Sequence, residues 1–351
     1  MRIVPVKVGR DYHMHDNGSD GRMPIGSLVN YLRRHGISSF SVTNHETKAT
    51  LAAAQHHARS YGMEFLPGIE LSSRLTPTSP GENLHVLVYG FNYRKIPPDF
   101  NKGLITIQNS KRELIERRCK ASQREPIVIE RNDGRSLSLS VKFDELERKL
   151  ISTGKPVIEN GSVTFNDGIM CFPLLAEINA FLGINDPAKG ANIYMIVNLI
   201  KGYEREYQKV LNFLHPFNAT LSQESQEVRT RWQPGNDFVP FFFEARQAIE
   251  LGLEAGGVVG AAHPGETNLT LGDIALLQSY GLSLLEVYTS KHSREQVEQY
   301  LNIALQLGLK RTIGTDFHGE EMTPNIKVGT SLYCPDYPAV SIQSLRRLVR
   351  N

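Results

Sequence analysis

The reading of this chain turns on the stretch Asp11-Tyr12-His13-Met14-His15-Asp16-Asn17-Gly18-Ser19-Asp20-Gly21. In an extended segment successive side chains face opposite sides, so His13 and His15 point the same way and can chelate one metal ion. Asp20 follows in a Gly-flanked loop and offers a carboxylate nearby. A His-x-His pair alone is as often two hydrogen-bonded or exposed histidines, so the weight must come from the rest of the chain.

Working outward, short β-rich runs alternate with helical ones. Residues 24–35 open on Pro24 and stop at Gly36, the asymmetry expected of a helix. Residues 37–43 read as a strand, 47–61 as an Ala-rich helix ended by Gly62, and 63–69 and 84–90 as buried strands. The rhythm resumes after 240, with helices at 241–255, 271–280 and 293–307 and strands at 257–262, 283–288 and 310–315. A closing helix is expected at 339–349. With a first strand near 10–14 this makes seven candidate strands, mostly alternating with helices, which predicts an α/β fold with a parallel sheet or barrel. Residues 94–240 break the pattern, with charged helices at 103–122 and 141–150, a hairpin signal at Asn160-Gly161, and helices at 173–182 and 193–213. The stretch is too long for a loop and predicts an inserted, mainly helical cap domain (94–240) between barrel segments 1–93 and 241–351.

The candidate ligands fall where this alternation puts strand ends. His45 follows strand 37–43, Glu70 closes strand 63–69, His85 begins the next strand, His263 ends 257–262, and Asp316 and His318 end 310–315. α/β barrels place their sites at the carboxyl ends of strands. Each residue alone has an ordinary explanation: a core histidine for His85, a helix cap for Glu70. Their coincidence does not. Imidazoles and carboxylates suit zinc, manganese and iron, and so many converging at one mouth would hold two or three divalent metals. His35, His56, His57 and His215 read as structural, whereas Lys291 and His292 follow strand 283–288 at the same mouth.

Composition sets the outer bounds. The 351 residues are 40% hydrophobic and 22% charged, which excludes disordered, collagen-like and coiled-coil classes. Lys+Arg is 39 against Asp+Glu 37, a net charge of +2, which disfavours a protein devoted to wrapping DNA and leaves small anionic substrates open. Cys119, Cys171 and Cys334 form no CxxC pair, as expected in a reducing compartment. No apolar run suits a membrane span and the first residues lack a signal-peptide core, so a cytoplasmic protein without a membrane partner is expected. The sequence leaves the oligomeric state open.

These residues resemble the polymerase and histidinol phosphatase (PHP) superfamily, in its metal-dependent phosphoesterase branch. Asp11 to Gly21 is similar to its opening motif, Thr43-Asn44-His45 to the second and Pro67-Gly68-Ile69-Glu70 to the third. Gly257 to His263-Pro264 resembles the fourth, and Gly314-Thr315-Asp316-Phe317-His318-Gly319 the last. His85 fits the family's histidine on the intervening strand, and the resemblance covers roughly 10–92 and 241–330. It implies a distorted (β/α)7 barrel, a trinuclear metal centre and phosphoesterase activity. One metal would take His13, His15, Glu70 and Asp316; a second would share Glu70 and add His85 and His263; a third would take Asp20, His45 and His318. The family's usual Asp before the second-motif histidine is Asn44 here, which implies less basic surroundings for the third position.

The expected chemistry is hydrolysis of a small phosphate ester by a metal-activated hydroxide, with Glu70, Asp316 and His318 at the reacting centre. Arg74, Lys291 and His292 are the candidate phosphate holders. A cap over the mouth would favour a nucleotide or nucleoside bisphosphate over a polymer. Lys111, Arg112, Arg117, Arg118, Lys120 and Arg124 share their helix with Glu113 and Glu116, which reads as a solvated mixed-charge face rather than a nucleic-acid track. Three other enzymatic readings compete: histidinol-phosphate phosphatase, an exonuclease on single-stranded RNA or DNA, and an amidohydrolase. Amidohydrolases commonly carry a carboxylated lysine where Glu70 stands and lack the Asp-x-His pair. A non-catalytic module is disfavoured because every metal position carries a competent ligand.

Overall fold

The computed structural model describes residues 6–7, 9–76, 84–165, 167–184, 204–227, 232–235, 237–320, 322–323 and 325–331. The strands, in chain order, are β1 Val6–Lys7, β2 Arg10–Asp11, β3 Ser39–Phe40, β4 Glu64–Phe65, β5 Gly68–Arg74, β6 Leu84–Tyr89, β7 Ile127–Arg131, β8 Ser136–Leu139, β9 Ala219–Leu221, β10 Phe243–Glu244, β11 Val258–Ala261, β12 Leu284–Thr289, β13 Lys310–Gly314 and β14 Thr330–Ser331. The chain divides into two compact units, one of residues 1–108, 155–162 and 241–351 and one of residues 109–154 and 163–240.

In the first unit β10-β5-β6-β11-β12-β13 form a six-stranded sheet and β2-β3-β4 a three-stranded parallel one. The two sheets meet in two places. On one side Tyr12 N donates to Ile313 O (2.9 Å), Asp316 N to His13 O (2.8 Å) and His15 N to Phe317 O (2.9 Å). On the other, Glu70 N donates to Asn44 O (3.2 Å) and Glu46 N to Glu70 O (2.9 Å). β12 is buried along its whole length and β5 along all but its last residue, the sign of a sheet covered on both faces. Behind β5 and β6 lie Ile249 and Leu251, and behind β12 lie Val297 and Tyr300, all within one hydrophobic core.

One expectation needs correcting. The sheet is mixed: β6 runs antiparallel to both β5 and β11, so the alternation does not give parallel pairing throughout. The β5–β6 connection is too short to hold a crossover helix, which is why the strand reverses. The reversal brings the start of β6 level with the ends of its parallel neighbours.

The second unit is not helical alone. β7 pairs antiparallel with β8 and β9, and β7 turns into β8 through Asp133-Gly134, with Gly134 at φ 85°. Around this sheet lie helices Phe143–Ser152, Asp167–Leu182 and Glu204–Leu214 and the later part of helix Pro98–Arg124. The hairpin expected at Asn160-Gly161 is a tight turn without flanking strands, Ile158 N donating to Ser162 O at 2.8 Å, and it belongs to the first unit. Three basic residues of the long helix are paired with carboxylates: Arg112 with Glu147, Arg117 with Glu113 and Asp237, Lys120 with Glu116. The expected helix at 339–349 and the first half of that at 193–213 lie outside the described residues. No described helix is long and apolar enough to cross a membrane.

Candidate metal centre

Strand geometry assembles the centre. Glu70 and Ser72 share a face of β5, and Ser72 is the register partner of His85 on β6. His85 therefore sits diagonally beside Glu70, with Nδ1 2.8 Å from Oε1. His13 and His15 project together from the continuation of β2, their Nε2 atoms 3.3 Å apart. His45 follows β3 and its Nε2 lies 3.5 Å from Glu70 Oε2, while His263, after β11, brings Nε2 within 3.5 Å of Glu70 Oε1. Asp316 follows β13 and reaches His13 and His15 at 3.3 and 3.0 Å through Oδ1. Asp20 Oδ2 lies 3.3 Å from His318 Nε2 and 3.6 Å from His45 Nε2.

All nine candidate ligands thus meet at one place. Eight of them, all but His263, supply atoms that form three groups, each within 4.8 Å: His13-His15-Glu70-Asp316, His15-Asp20-His45-His318 and His45-Glu70-His85. The first group is buried. The rim is open, with side chains of Asp20 at 23%, His45 at 17%, His85 at 24% and His318 at 13% exposure. His263 and Asp316 hold left-handed backbone conformations, φ 23° and 52°, unusual for residues with side chains and of the kind concentrated at functional sites.

The donor set fits divalent cations. In the first group two imidazole nitrogens and two carboxylate oxygens face one another, and with neutral histidines all four present lone pairs. Such a group needs positive charge at its centre. Protons supply it when nothing else does. Burial works against the His13 and His15 imidazolium ions. For His13 the charges of Glu70, Glu286 and Asp316 outweigh it and raise the pKa well above the usual value. For His15, Asp20, Asp316 and Glu70 push the pKa up to about 9. Burial alone would raise the carboxylates, yet Glu70 is held well below the usual range by His13, His45 and His85, and Asp316 by Lys291, His318 and His13.

Residues that the sequence reading passed over orient the ligands. Glu286, on β12, faces His13 Nδ1 with both oxygens (3.0 and 3.2 Å) and accepts from His263 N at 2.8 Å. A ring nitrogen facing a carboxylate carries the proton, which leaves His13 Nε2 as the ligand atom. The β12–β13 register shifts between Glu286 and Tyr288, a bulge of the kind that re-aims a side chain beside a site. Its signal in sequence was a lone carboxylate inside the apolar run Leu284-Leu285-Glu286-Val287. Glu266 lies 3.2 Å from His263 Nδ1 and 3.0 Å from Lys291 Nζ. His318 Nδ1 donates to Asp316 O at 2.8 Å.

Asn44 uses its amide in both directions. Oδ1 accepts from Asp16 N and Ser19 Oγ, each at 2.9 Å, and Nδ2 donates to Asp16 Oδ1 at 2.8 Å and Thr50 Oγ1 at 2.9 Å. An aspartate here would set two carboxylates against each other. The neutral side chain thus serves the loop before Asp20.

The candidate phosphate holders divide. Lys291 stands at the mouth, its Nζ 2.8 Å from Asp316 Oδ2, and these neighbouring carboxylates raise its pKa against the effect of burial. Arg74 shares the face of Glu70, four residues on and about 13 Å away at strand spacing, with its guanidinium over Phe242. His292 is a correction. It is buried, Nδ1 donates to Val287 O at 2.9 Å, Nε2 accepts from Gly265 N at 2.9 Å, and the ring stacks on Tyr300. Both nitrogens are committed within the protein, so His292 cannot hold a phosphate.

No family model matches the chain. A 5'-3' exoribonuclease of Haemophilus influenzae is 22% identical over 313 residues, covering 88% of this chain and 89% of that protein. A phosphoribosyl 1,2-cyclic phosphate 1,2-diphosphodiesterase of Eggerthella lenta is 30% identical over 80 residues, 23% of this chain and 30% of that protein. Among solved structures, a Bifidobacterium adolescentis protein assigned as a metal-dependent phosphoesterase superposes with TM-score 0.67 at 18% identity, covering 98% of each chain. An amidohydrolase of Chromobacterium violaceum with bound sulfate and no metal gives TM-score 0.57 at 19% identity, covering 97% of this chain and 96% of its own. The chain shares the fold of the Bifidobacterium protein.

Proposed function

We propose that the chain is a phosphoric ester hydrolase of the PHP type, acting on a small phosphate ester such as a nucleotide or nucleoside bisphosphate. The observation that carries the reading is the convergence of five histidines and three carboxylates in overlapping groups that share His15, His45 and Glu70, with His263 beside Glu70. Two or three divalent cations, zinc, manganese or iron, would bind there. When bound they would supply Lewis acidity and make a water acidic enough to attack phosphorus near neutral pH. Glu70 would hold two positions together, and Asp316 and His318, linked through the Asp316 backbone, would place the attacking and departing oxygens. Lys291 would meet the phosphate by turning from Glu266, while Asp316 keeps its ligand oxygen toward His13 and His15. The two contacts between the sheets support closure of the first unit into a distorted seven-stranded barrel.

A second reading, 5'-3' exonuclease, is favoured by the Haemophilus relative, which matches along most of the chain. One experiment separates the two. Metal-loaded protein is assayed on a panel of nucleotides, nucleoside bisphosphates, sugar phosphates and single-stranded RNA, beside Glu70→Ala. Turnover of small esters, lost in the variant, supports the first reading. Preference for RNA with strong salt dependence supports the second. Unchanged turnover in a folded Glu70→Ala protein would refute both.

A further inference from the structure

Among the described residues, every group of three or more metal-ligating side chains belongs to the centre above. What is unexplained is the segment Lys155-Pro156-Val157-Ile158-Glu159-Asn160-Gly161-Ser162. It alone, of residues 109–240, belongs to the first unit. It makes two anchored contacts, and each falls beside a candidate ligand.

At one end, Lys155 Nζ donates to Asn17 O at 3.0 Å and also to Ser19 O. These carbonyls lie in the loop that delivers Asp20. At the other end, Glu159 accepts from Thr47 Oγ1 at 2.9 Å, Lys48 N at 3.2 Å and Gln108 Nε2 at 2.9 Å, and pairs with Lys48 Nζ at 3.6 Å. Its side chain is 8% exposed, so the charge is taken out of water and met by donors on every side. Thr47 and Lys48 follow His45 by two and three residues. Gln108 Nε2 also donates to Glu46 O at 2.7 Å, tying the same loop a second time. The tight turn at 158–162 fixes the carboxylate's position.

We propose that residues 155–162 are a strap that sets the metal position formed by Asp20, His45 and His318, with Lys155 and Glu159 as positioning residues. The inference rests on the metal-centre reading of the previous subsection. Asp20 and His45 both stand on loops, with no long strand to hold them, whereas Glu70 and His85 sit within β5 and β6 and need no such brace. Loosening the strap therefore acts most on the position that takes both loops, and least on the one formed by His13, His15, Glu70 and Asp316. Ligand orientation by an outer contact is worth roughly ten- to a hundred-fold in metal affinity.

The test measures metals per chain by elemental analysis, after equilibration against buffered manganese or zinc, for wild type, Lys155→Met, Glu159→Gln, Lys155→Arg and Asp20→Ala. Far-ultraviolet circular dichroism and melting temperature check the fold. The expected result is that Lys155→Met and Glu159→Gln, at free metal saturating the wild type, lose the same single equivalent as Asp20→Ala. Both should regain it at about ten-fold or more higher free metal. Lys155→Arg, which keeps the donors, should load as wild type does. Strap variants that load as wild type does, or folded variants that lose metal from all positions alike, would overturn the strap while leaving the centre standing. A wild type that takes up no metal would overturn the centre itself and the strap with it.

Discussion

Glu286 makes no direct claim on a metal, yet removing its charge should loosen the whole first group. Its carboxylate receives the His13 Nδ1 proton at 3.0 Å and the His263 amide at 2.8 Å, and the residue is fully buried. Glu286→Leu, close in volume, strips both donors of their acceptor in a site water cannot easily refill. Each stranded donor costs about 1–3 kcal/mol. The His13 ring is also freed to turn and to swap tautomers, and loss of such an outer partner weakens metal binding roughly ten- to a hundred-fold, or about 1.4–2.7 kcal/mol. Glu286→Gln keeps an acceptor for one donor and removes the negative charge, so it belongs near the lower figure. Competition titrations against a chelator of known affinity, read by absorbance or calorimetry, give the dissociation constants. The spectrum of bound cobalt(II) should change for the leucine variant, because the geometry around His13 relaxes. If both variants remain folded and bind metal as tightly as the wild type, the orienting role is wrong.

Three further outcomes follow from the same site. His13→Ala should lower phosphoester turnover by at least about a hundred-fold, and should also lower the melting temperature of the metal-free protein because Glu70, Glu286 and Asp316 lose a buried partner, a kinetic and thermal comparison on one preparation. Metal-free and metal-loaded protein should show opposite pH slopes. His15 rises from the usual 6.5 to about 9 in the folded metal-free state, so the stability it lends is fully present below 6.5 and lost as pH climbs through 9. Bound metal must displace that proton, so apparent metal affinity should grow about ten-fold per pH unit for each proton released, up to about pH 9. Melting curves with chelator or with manganese from pH 6 to 9 check both arms, and parallel slopes would sink the argument. His292→Ala should lower stability by roughly 1–3 kcal/mol, from two lost buried hydrogen bonds and the Tyr300 contact, with kcat/KM on the wild-type substrate nearly unchanged. A large kcat/KM loss without destabilisation would restore His292 as a substrate contact.

The candidate ligands were legible because metal chemistry narrows residue type and strand ends narrow position. Alternating runs were enough to place His263 and Asp316 at those ends, whereas Glu70, expected to close a strand, lies third in β5, which runs on to Arg74. Strand direction is another matter: nothing in Leu84–Tyr89 distinguishes a parallel from an antiparallel partner, and the reversal of β6 is a property of its short connection. The Asp133-Gly134 turn carried its own signal, yet the weak alternation of Ser136–Leu139 hid the strand that follows. Glu286 was concealed by its apolar neighbours, and His292 was misjudged because its partners, Val287 O and Gly265 N, are backbone atoms no sequence displays. The strap is the least legible element, since Lys155 and Glu159 meet residues more than a hundred positions away.

At Gly314, the last residue of β13, a methyl group in place of hydrogen would overlap His13 Cβ and Glu286 Oε1 at once. The side chain missing at that position is therefore part of the centre's architecture, as much as any donor atom. An alanine there would part the histidine from its carboxylate without removing any ligand from the sequence. The resulting protein would look complete in composition and still hold its ions poorly, a defect visible in metal content before it appears in any measure of folding.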